Sequence, residues 1–452
     1  MTSNDIPASW LILGFDEIFS QVSTSGKKVK SADVQTEGRF PVVDQGRSFI
    51  SGYLDDANLV VSENKPLIIF GDHTREIKWI DFPFIPGADG VQVLKPHPEM
   101  DTRFLYYFLR SLPIESRGYA RHFKIVKDAA YLVPPLAEQI RIAAKLDELL
   151  AQVDTLKARI DSIPALLKRF RQSVLTAAVS GKLTEEWRTK KASEGTTAPN
   201  NDWKTIRIDQ ASADEKYSLA IGPFGSNLKV SDYRDDGKPL VFVREIRAGC
   251  FGDKKTKFIT PEKFDELSAH QISAGDILVT KMGDPPGDVA IYPATAPDAV
   301  ITADCIKLRV NESVILREYA YYQMKSNFFR QKVQEISAGV AQQKVSLGNF
   351  REITLLVPSR EEQRKIVRHV GELLAFADQL EARVKAAQVR IDGLTQSILA
   401  KALRGELVPQ DPNDEPAGFL LERIKAQRAA APKAKRGRSS AIASEALLQD
   451  EK

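Results

Sequence analysis

The stretch VPPLAEQ at residues 133–139 returns as VPSREEQ at residues 357–363, and this repetition decides the architecture of the chain. The match runs without a gap from residues 133–183 onto residues 357–407, at a constant offset of 224, with 19 identities in 51 positions. Self-similarity of this extent indicates a duplicated structural unit. We therefore expect the two segments to adopt the same structure.

The repeat extends upstream, but with gaps. Trp10 corresponds to Trp203 at an offset of 193, and Tyr106 corresponds to Tyr321 at an offset of 215. The offset therefore changes along the upstream part and is constant inside the repeated segment. The chain is predicted to hold two copies of a variable module, each followed by a segment of fixed length.

The repeated segments have the apolar pattern of long paired helices. Apolar residues recur at alternating steps of four and three, which is the heptad pattern of a left-handed coiled coil. Gly181 and Gly405 stand where a helix C-cap glycine belongs, and Pro164 should kink or split the first helix near Ser162. The predicted core positions are Ile142, Leu146, Leu149, Val153, Leu156 and Ile160 in the first copy, and Ile366, Val370, Leu373, Leu380, Val384 and Ile391 in the second.

Two copies of one helix in a single chain most simply pair with each other. The first helix, at about residues 137–179, leaves the first module and ends where the second module begins. If the modules sit at opposite ends of the pair, the two helices must run antiparallel. A helix of this length spans roughly 65 Å at 1.5 Å per residue, so the coiled coil would set the distance between the modules.

The two modules, at about residues 8–133 and 201–356, are predicted to be mixed folds of the α/β or α+β class. Short apolar runs bounded by turn residues indicate buried strands, and longer periodic runs indicate helices. The predicted strands are residues 66–72, 239–243 and 275–281, and the predicted helices are residues 103–110 and 319–333.

Polar, basic stretches interrupt these strands and have the chemistry of DNA recognition. Base readout needs Arg, Lys, Asn or Gln on ordered loops, while Lys, Ser and backbone amides suit phosphates. Taken singly, such a stretch is more often a solvated loop, so these candidates depend on the architecture around them. The candidate DNA-binding residues are Lys27, Lys28, Lys30, Gln45, Arg47, His73, Thr74, Arg75, Ser226, Asn227, Lys229, Arg244, Lys281, Gln342, Gln343 and Lys344.

Composition narrows the class of protein. The chain has 452 residues, 43% of them apolar, which excludes general disorder, and its net charge of +4 argues against a protein that coats polyanions over its whole surface. Cys250 and Cys305 form neither a disulfide framework nor a zinc spacing. Neither a signal peptide nor an apolar run of ~20 residues is predicted. We expect a soluble, cytoplasmic chain that binds no membrane.

The sequence contains none of the catalytic motifs that a DNA-modifying enzyme needs. The segment DPPG at residues 284–287 lacks the aromatic residue that would stack a flipped base. Gly181-Lys182 lacks the remainder of a phosphate-binding loop, and the five histidines show no metal-ligand spacing. We therefore predict no catalytic residues, no metal site and no cofactor bound by this chain.

With these features in place, the chain resembles the specificity subunits of type I restriction–modification systems over roughly residues 8–425. The resemblance is carried by LVPPLAEQ at residues 132–139 with LVPSREEQ at 356–363, and by FRQSVLTAA at 170–178. GPFGS at residues 222–226 and GDIL at 275–278 are similar to pieces of the family's target recognition domains. The first module lacks a clear copy of GPFGS.

The resemblance implies that each module is a target recognition domain reading one half of a bipartite, asymmetric site in double-stranded DNA. It also implies that the coiled coil sets the unread spacer and docks two methyltransferase subunits, which in turn carry the restriction subunits. S-adenosylmethionine, ATP and Mg²⁺ are then expected on those partners. The implied divisions are recognition domain one at 1–133, the central helix and linker at 134–200, recognition domain two at 201–356, the distal helix at 357–425 and a basic disordered tail at 426–452.

An alternative from a different class is a non-catalytic coiled-coil scaffold whose two modules bind proteins rather than DNA. It predicts no salt-dependent binding to DNA, because only contacts with phosphates release counterions.

Overall fold

The computed structural model describes residues 6–61, 66–87, 90–115, 118, 120–194, 203–337 and 343–430. Contacts within the chain divide it into two compact units. The first unit is formed by residues 1–159 together with 387–452, and the second by residues 160–386. Each unit thus combines one module with one half of each long helix.

The first module is built from short strands and three short helices. In chain order these are β1 (Leu11–Leu13), α1 (Phe15–Ile18), β2 (Phe19–Val22), β3 (Phe40–Val43), β4 (Gly52–Leu54), β5 (Leu67–Gly71), β6 (Ile77–Ile80), β7 (Ile85–Pro86), β8 (Val91–Pro96), α2 (Thr102–Ser111), α3 (Phe123–Lys127) and β9 (Tyr131–Val133). The strand predicted at residues 66–72 and the helix predicted at 103–110 are confirmed as β5 and α2.

Two sheets organise this module. The larger has the order β2-β8-β5-β6 with antiparallel neighbours, and the smaller has the order β4-β3-β7 with β3 and β7 parallel. A separate antiparallel pair, β1 with β9, joins the beginning of the module to its end. All five residues of β5 are buried, so both faces of this strand are covered.

Two helices follow, and then the second module. The helices are α4 (Leu136–Val179) and α5 (Glu185–Ser193). The second module contains β10 (Lys204–Arg207), α6 (Ile208–Ala211), β11 (Leu219–Ile221), β12 (Lys238–Val241), α7 (Val243–Ala248), β13 (Lys257–Ile259), α8 (Pro261–Glu266), β14 (Gln271–Ile272), β15 (Ile277–Thr280), β16 (Met282–Gly283), β17 (Val289–Ile291), β18 (Ala299–Ile301), β19 (Cys305–Leu308), α9 (Arg317–Met324), α10 (Asn327–Glu335), β20 (Gln343–Lys344), α11 (Leu347–Arg351) and β21 (Thr354–Val357). The chain continues with α12 (Arg360–Leu403) and α13 (Ala417–Ala430).

The second module repeats the plan of the first. Its larger sheet has the order β11-β19-β15-β17 and its smaller sheet the order β13-β12-β18-β14, in which β12 and β18 are parallel. The pair β10 with β21 corresponds to β1 with β9. The predicted strands at residues 239–243 and 275–281 are confirmed as β12 and β15. The variable modules are therefore also duplicated in structure, and the second has additional strands and helices, among them β14, β16, β20 and α8.

One predicted helix is divided in the structure. The helix expected at residues 319–333 is instead α9 and α10, which are separated at Lys325 and Ser326. The buried Ser326 accepts a hydrogen bond from the backbone of Phe329 and so caps a new helix. The apolar pattern continues across the break, which is why the periodicity did not reveal it.

The two long helices run antiparallel within each unit. In the first unit, Ile142 and Leu146 of α4 share a core with Leu399 and Ala402 of α12, while Lys157 pairs with Asp392. As the residue number rises along α4, that of its neighbour on α12 falls. The predicted antiparallel helix pair is thus confirmed in this unit.

The second unit has the same arrangement. Val174 and Ala178 of α4 share a core with Ile366 and Val370 of α12. Arg171 Nη2 lies 2.7 Å from Asp378 Oδ1, and it also bonds Glu381. The helices again run in opposite directions, so the fold class expected for the chain is confirmed.

The heptad pattern predicts the core well, with one clear error. Buried core positions are Ile142, Leu146, Val153, Ile366, Val370 and Val384, and half-buried ones are Leu149, Ile160, Leu373, Leu380 and Ile391. Leu156 is wrong as a core residue, because its side chain is 46% exposed. It lines a shallow cleft whose walls all come from α4, at Ala151, Gln152, Thr155 and Arg159.

Two smaller expectations are also corrected. Pro164 does not split the first helix, because α4 continues through it from Leu136 to Val179. Pro164 is exposed. A proline inside a helix costs about 3 kcal/mol through its missing N–H and the clash of its ring, and α4 tolerates this cost with buried residues on both sides, at Val153 and Leu167. The predicted disordered tail begins with helix, since α13 reaches Ala430. The rest of that tail lies outside the described residues.

The predicted C-cap glycines are confirmed. Gly181 and Gly405 have φ values of +77° and +70°, in the left-handed region that favours glycine. A Cβ on Gly405 would lie 2.6 Å from Pro7 Cγ. The end of α12 therefore packs tightly against the first described residues of the chain, inside one unit.

Candidate nucleic-acid interface

In the first module, three loops that carry candidate residues leave the sheets at one edge. Antiparallel pairing places Val22, the last residue of β2, opposite Val93, and Gly71, the last residue of β5, opposite Val91. The ends of β2 and β5 therefore flank the beginning of β8. The loop after β3 joins them, because a Cβ on Gly71 would lie 3.0 Å from that of Gln45.

Hydrogen bonds fix the shape of these loops. The Gln45 side-chain oxygen accepts from the backbone of His73 at 3.1 Å, and Thr74 Oγ1 donates to the Gln45 carbonyl at 2.5 Å. Arg75 has a φ of +66° and donates from Nη1 to the Ile114 carbonyl at 3.0 Å. The side chains of Gln45, Thr74 and Arg75 thus form hydrogen bonds within the loops themselves. Ordered loops are what base readout requires.

The lysine-rich loop after β2 belongs to the same edge. Val29 is buried and its N–H donates to the Pro86 carbonyl at the end of β7. Lys27 Nζ donates to the Val60 carbonyl at 2.7 Å, so one hydrogen bond of this ammonium is used within the module. Lys28 and Lys30 on either side of Val29 are exposed, as is Arg47 in the loop after β3.

The buried Lys78 bonds the backbone of the loop that carries Arg47. Lys78 is 5% exposed and donates from Nζ to the carbonyls of Asp44, at 2.8 Å, and Ser48, at 2.6 Å. Burial lowers the pKa of the Lys78 ammonium, and the Asp44 carboxylate beside it opposes that shift. The sequence did not indicate Lys78, because a lysine in an alternating strand pattern is typical of a solvent-facing position.

The second module brings its candidates to the corresponding edge. The N–H of Gly222, just after β11, donates to the Cys305 carbonyl, and the N–H of Lys281, just after β15, donates to the Asp304 carbonyl at 2.7 Å. The smaller sheet joins at the same point, because the N–H of Thr302 donates to the Val241 carbonyl at the end of β12. The loops after β11, β12 and β15 therefore meet around residues 302–305.

Residues sixty positions apart are paired there by a two-stranded ribbon. Strands β16 and β20 are antiparallel, with Met282 opposite Lys344 and Gly283 opposite Gln343. Gln343 and Lys344, which the sequence offered as separate candidates, thus lie on this ribbon, and Lys281 directly precedes it, with its carbonyl accepting from the Val345 N–H at 3.0 Å. A two-stranded ribbon has dimensions that fit the major groove. Gln342 lies outside the described residues.

The other candidates of this module are placed on the loops that surround the ribbon. Ser226, Asn227 and Lys229 are exposed in the loop after β11, anchored by the buried Leu228. The Arg244 guanidinium lies over the Phe242 ring, 4.4 Å from its centroid, and donates to the Lys255 carbonyl at 2.8 Å. Stacking of this kind holds a guanidinium in one plane.

Two arginines at this edge are not among the residues that the sequence indicated. Arg247 on α7 and Arg330 on α10 both pair with Asp288, which directly precedes β17. No motif marks them, although Arg247 lies in the same helix as the candidate Arg244. Only the tertiary contacts bring them to the candidate interface.

Two observations on the described residues concern thiol and metal chemistry. Cys305 is fully buried, and burial raises the pKa of its thiol to about 12, so it is not a thiolate nucleophile near neutral pH. In the part of the chain that the structure describes, no three His, Cys, Asp or Glu side chains are grouped to hold a metal ion. The same part contains no helix with the length and apolar character of a membrane span.

The chain has two modules with the same plan. Each module presents loops at one sheet edge and is joined to one half of an antiparallel helix pair. This arrangement defines a two-site recognition protein. The chain belongs to the family described as type I restriction modification DNA specificity domain. The family model matches residues 10–165 and 226–388. DNA sequence specificity is therefore the function of this chain.

Individual relatives support the same assignment. The chain is 33% identical to the EcoKI specificity subunit of Escherichia coli strain K12, over 75% of this chain and 74% of that protein. It is 30% identical to the EcoBI specificity subunit of Escherichia coli, over 93% of each. It is 32% identical to the StySPI specificity subunit of Salmonella potsdam, over 77% of this chain and 76% of that one.

Solved structures agree on the fold. A chain from a structural study of assembly and conformational transition in a type I R-M system matches with a TM-score of 0.58, at 15% identity, over 89% of this chain and 99% of that chain. The HsdS subunit from Thermoanaerobacter tengcongensis matches with a TM-score of 0.50, also at 15% identity, over 89% and 98% of the two chains.

Proposed function

We propose that this chain is the non-catalytic DNA-reading subunit of a type I restriction–modification complex, with each module reading one half of a bipartite, asymmetric site. One observation carries the proposal: in both modules the loops after the corresponding strands, β2, β3 and β5 in one and β11, β12 and β15 in the other, converge at the same sheet edge. Phosphate contacts from these loops supply affinity, and base contacts of about 1–3 kcal/mol each supply discrimination.

The helices fit a docking role for protein partners. In the first unit Ile140 and Leu156 on α4 are 52% and 46% exposed, and in the second unit Leu166 and Phe376 are 55% and 54% exposed. Exposed apolar side chains on otherwise charged helices favour protein contacts. Each unit would therefore dock one methyltransferase subunit, and restriction subunits would join through the methyltransferases. Those partners would hold S-adenosylmethionine, ATP and Mg²⁺, and the complex would work in the cytoplasm.

Methylation mapping in cells tests whether each module reads its own half of the site. Cells that carry this chain and its cognate methyltransferase should methylate a two-part DNA sequence, and exchange of residues 1–133 for those of a relative should change one half only. A change in both halves would contradict separate reading by the modules. Purified chain without partners should neither methylate nor cleave DNA.

A deletion in the long helices tests whether they set the length of the spacer. Removal of seven residues from α4 and seven from the facing part of α12 keeps the heptad register on both helices. We expect the two half-sites to persist with a different number of base pairs between them. An unchanged spacer in the methylation map would contradict the role of the helix pair as a ruler.

A further inference from the structure

One carboxylate at the edge of the second module is shared by two arginines. Arg247 Nε lies 3.0 Å from Asp288 Oδ2, and Arg330 Nη2 donates to Asp288 Oδ1. The two arginine side chains are 53% and 43% exposed, whereas the Asp288 side chain is 18% exposed. A single guanidinium would neutralise Asp288, so the trio presents one unit of excess positive charge to solvent.

The turn that carries Asp288 is held rigidly. The hydroxyl of the buried Thr280 accepts from the N–H groups of Gly287, at 3.0 Å, and Asp288, at 2.9 Å. Gly287 has a φ of +97°, and a Cβ at this position would lie 3.0 Å from Val333 of α10. The carboxylate is therefore fixed with respect to both β15 and α10.

The two arginines come from different elements, each anchored by buried neighbours. Arg247 follows the buried Ile246 on α7, and Arg330 lies between the buried Phe329 and Val333 on α10. A Cβ on Gly283 would lie 2.9 Å from Arg247 Nη2, so this guanidinium rests against the ribbon β16–β20. The trio thus borders the same ribbon that carries Lys344.

We propose that Asp288 is a positioning residue that holds Arg247 and Arg330 together as a clamp for one phosphate of the DNA backbone. This inference rests on the proposed function. Arginine side chains lose conformational freedom when they bind, and a carboxylate that fixes them beforehand reduces that loss. Each guanidinium has five N–H donors, so bonding to Asp288 leaves donors on both for phosphate oxygens.

Replacement of the carboxylate separates positioning from simple electrostatics, because the two predict opposite signs. If Asp288 only neutralised charge, Asp288→Asn would strengthen DNA binding and steepen its dependence on salt. If Asp288 positions the arginines, the same variant weakens binding and makes the salt dependence shallower, by up to about 0.9 in the slope of log K against log salt. The matched control is Asp235→Asn, which removes the same charge from an exposed ion pair with Lys257.

The assay is binding of the full chain, in its methyltransferase complex, to a fluorescent duplex carrying the site found by methylation mapping, over a series of salt concentrations. The double variant Arg247→Gln with Arg330→Gln tests the clamp where Asp288→Asn does not fold. If both arginines bind one phosphate, the slope of log K against log salt for the double variant should be shallower by about 0.9. A change of about 1.8 would mean that the arginines bind two separate phosphates and would overturn the clamp.

The outcomes also separate this inference from the function on which it rests. Salt-independent binding, or none, by the wild-type complex would refute DNA reading itself. Normal binding by the wild type, with Asp288→Asn equal to it or tighter, would refute the clamp alone. A weaker, shallower response in Asp288→Asn, with Asp235→Asn unchanged or tighter, is the expected result.

Discussion

Trp10 donates from Nε1 to Glu138 Oε2 at 3.0 Å, and this bond ties the first described segment of the first module to the first turn of α4. The second copy repeats it, with Trp203 Nε1 at 3.3 Å from Glu362 Oε2. Both carboxylates are 1% exposed. A buried acceptor must be satisfied, so each bond locks a module to the helix that follows it.

The two copies satisfy their buried carboxylates differently. Glu362 also bonds the Arg188 guanidinium and the Thr184 hydroxyl, whereas Glu138 bonds the side-chain amide of Gln410. Burial raises the pKa of Glu138, while the bonds from Trp10 and Gln410 oppose the shift. The first copy therefore depends more on its tryptophan.

The first prediction concerns that tryptophan. Trp10→Phe should lower the free energy of unfolding of the first unit by about 1–3 kcal/mol, because Glu138 Oε2 stays buried without its donor. Hydrogen exchange of β1 and of the first turns of α4 measures the effect locally. The control is Trp187→Phe, since Trp187 is only partly buried and lies 4.7 Å from Lys191 Nζ. Equal losses of protection from both variants would contradict the lock.

The second prediction separates a buried heptad position from an exposed one. Leu146 is 1% exposed and Leu156 is 46% exposed, although the heptad pattern treats them alike. Leu146→Ala should cost about 2–5 kcal/mol because it opens a cavity, and Leu156→Ala should cost less than about 1 kcal/mol. Thermal unfolding of the full chain compares them. Similar destabilisation by both would mean that α12 covers Leu156.

The third prediction is a dependence of stability on pH in the second module. Lys307 is 4% exposed, and burial lowers its pKa to about 8. The unfolded chain then binds more protons than the folded chain between pH ~8 and the ordinary lysine pKa of about 10.4, so stability should rise with pH in that window. Lys307→Met should remove this rise, because it keeps the apolar stem without the ammonium. An unchanged pH profile in the variant would contradict the assignment to Lys307.

The fourth prediction assigns residues to half-sites. Arg47→Ala, in the first module, should relax or change only one half of the methylated sequence, and Gln343→Ala, in the second, only the other half. The physical reason is that the two candidates lie at the loop edges of different sheets. Methylation mapping reads both halves at once. An effect of either variant on both halves would contradict independent reading.

Much of the fold was predictable, because period and spacing are local properties of the chain. The heptads predicted α4 and α12 and six of their buried positions, and the apolar runs predicted β5, β12 and β15. The break between α9 and α10 and the exposure of Leu156 were not predictable. Both depend on what packs against a residue, and a single sequence does not contain that information.

The candidate interface was predictable in residue type but not in grouping. Lys281, Gln343 and Lys344 were chosen one at a time for their chemistry, and the ribbon that joins them forms only when β16 pairs with β20. Arg247, Arg330 and Lys78 were missed, since nothing in their local sequence distinguishes them from surface residues. Their roles as candidates arise from contacts with Asp288 and with the loop at residues 44–48.

By itself, the sequence determined that this protein is a duplication with two long helices. A gapless repeat and a heptad period can be read directly from the chain, without knowing which residues are in contact. It also placed Trp10 with Trp203 and Glu138 with Glu362 as repeated residues. Only the tertiary structure decided that each tryptophan meets its glutamate, and that six loops gather at two sheet edges. Hydrogen bonds and strand pairing join residues that are distant along the chain, and their geometry exists only after folding.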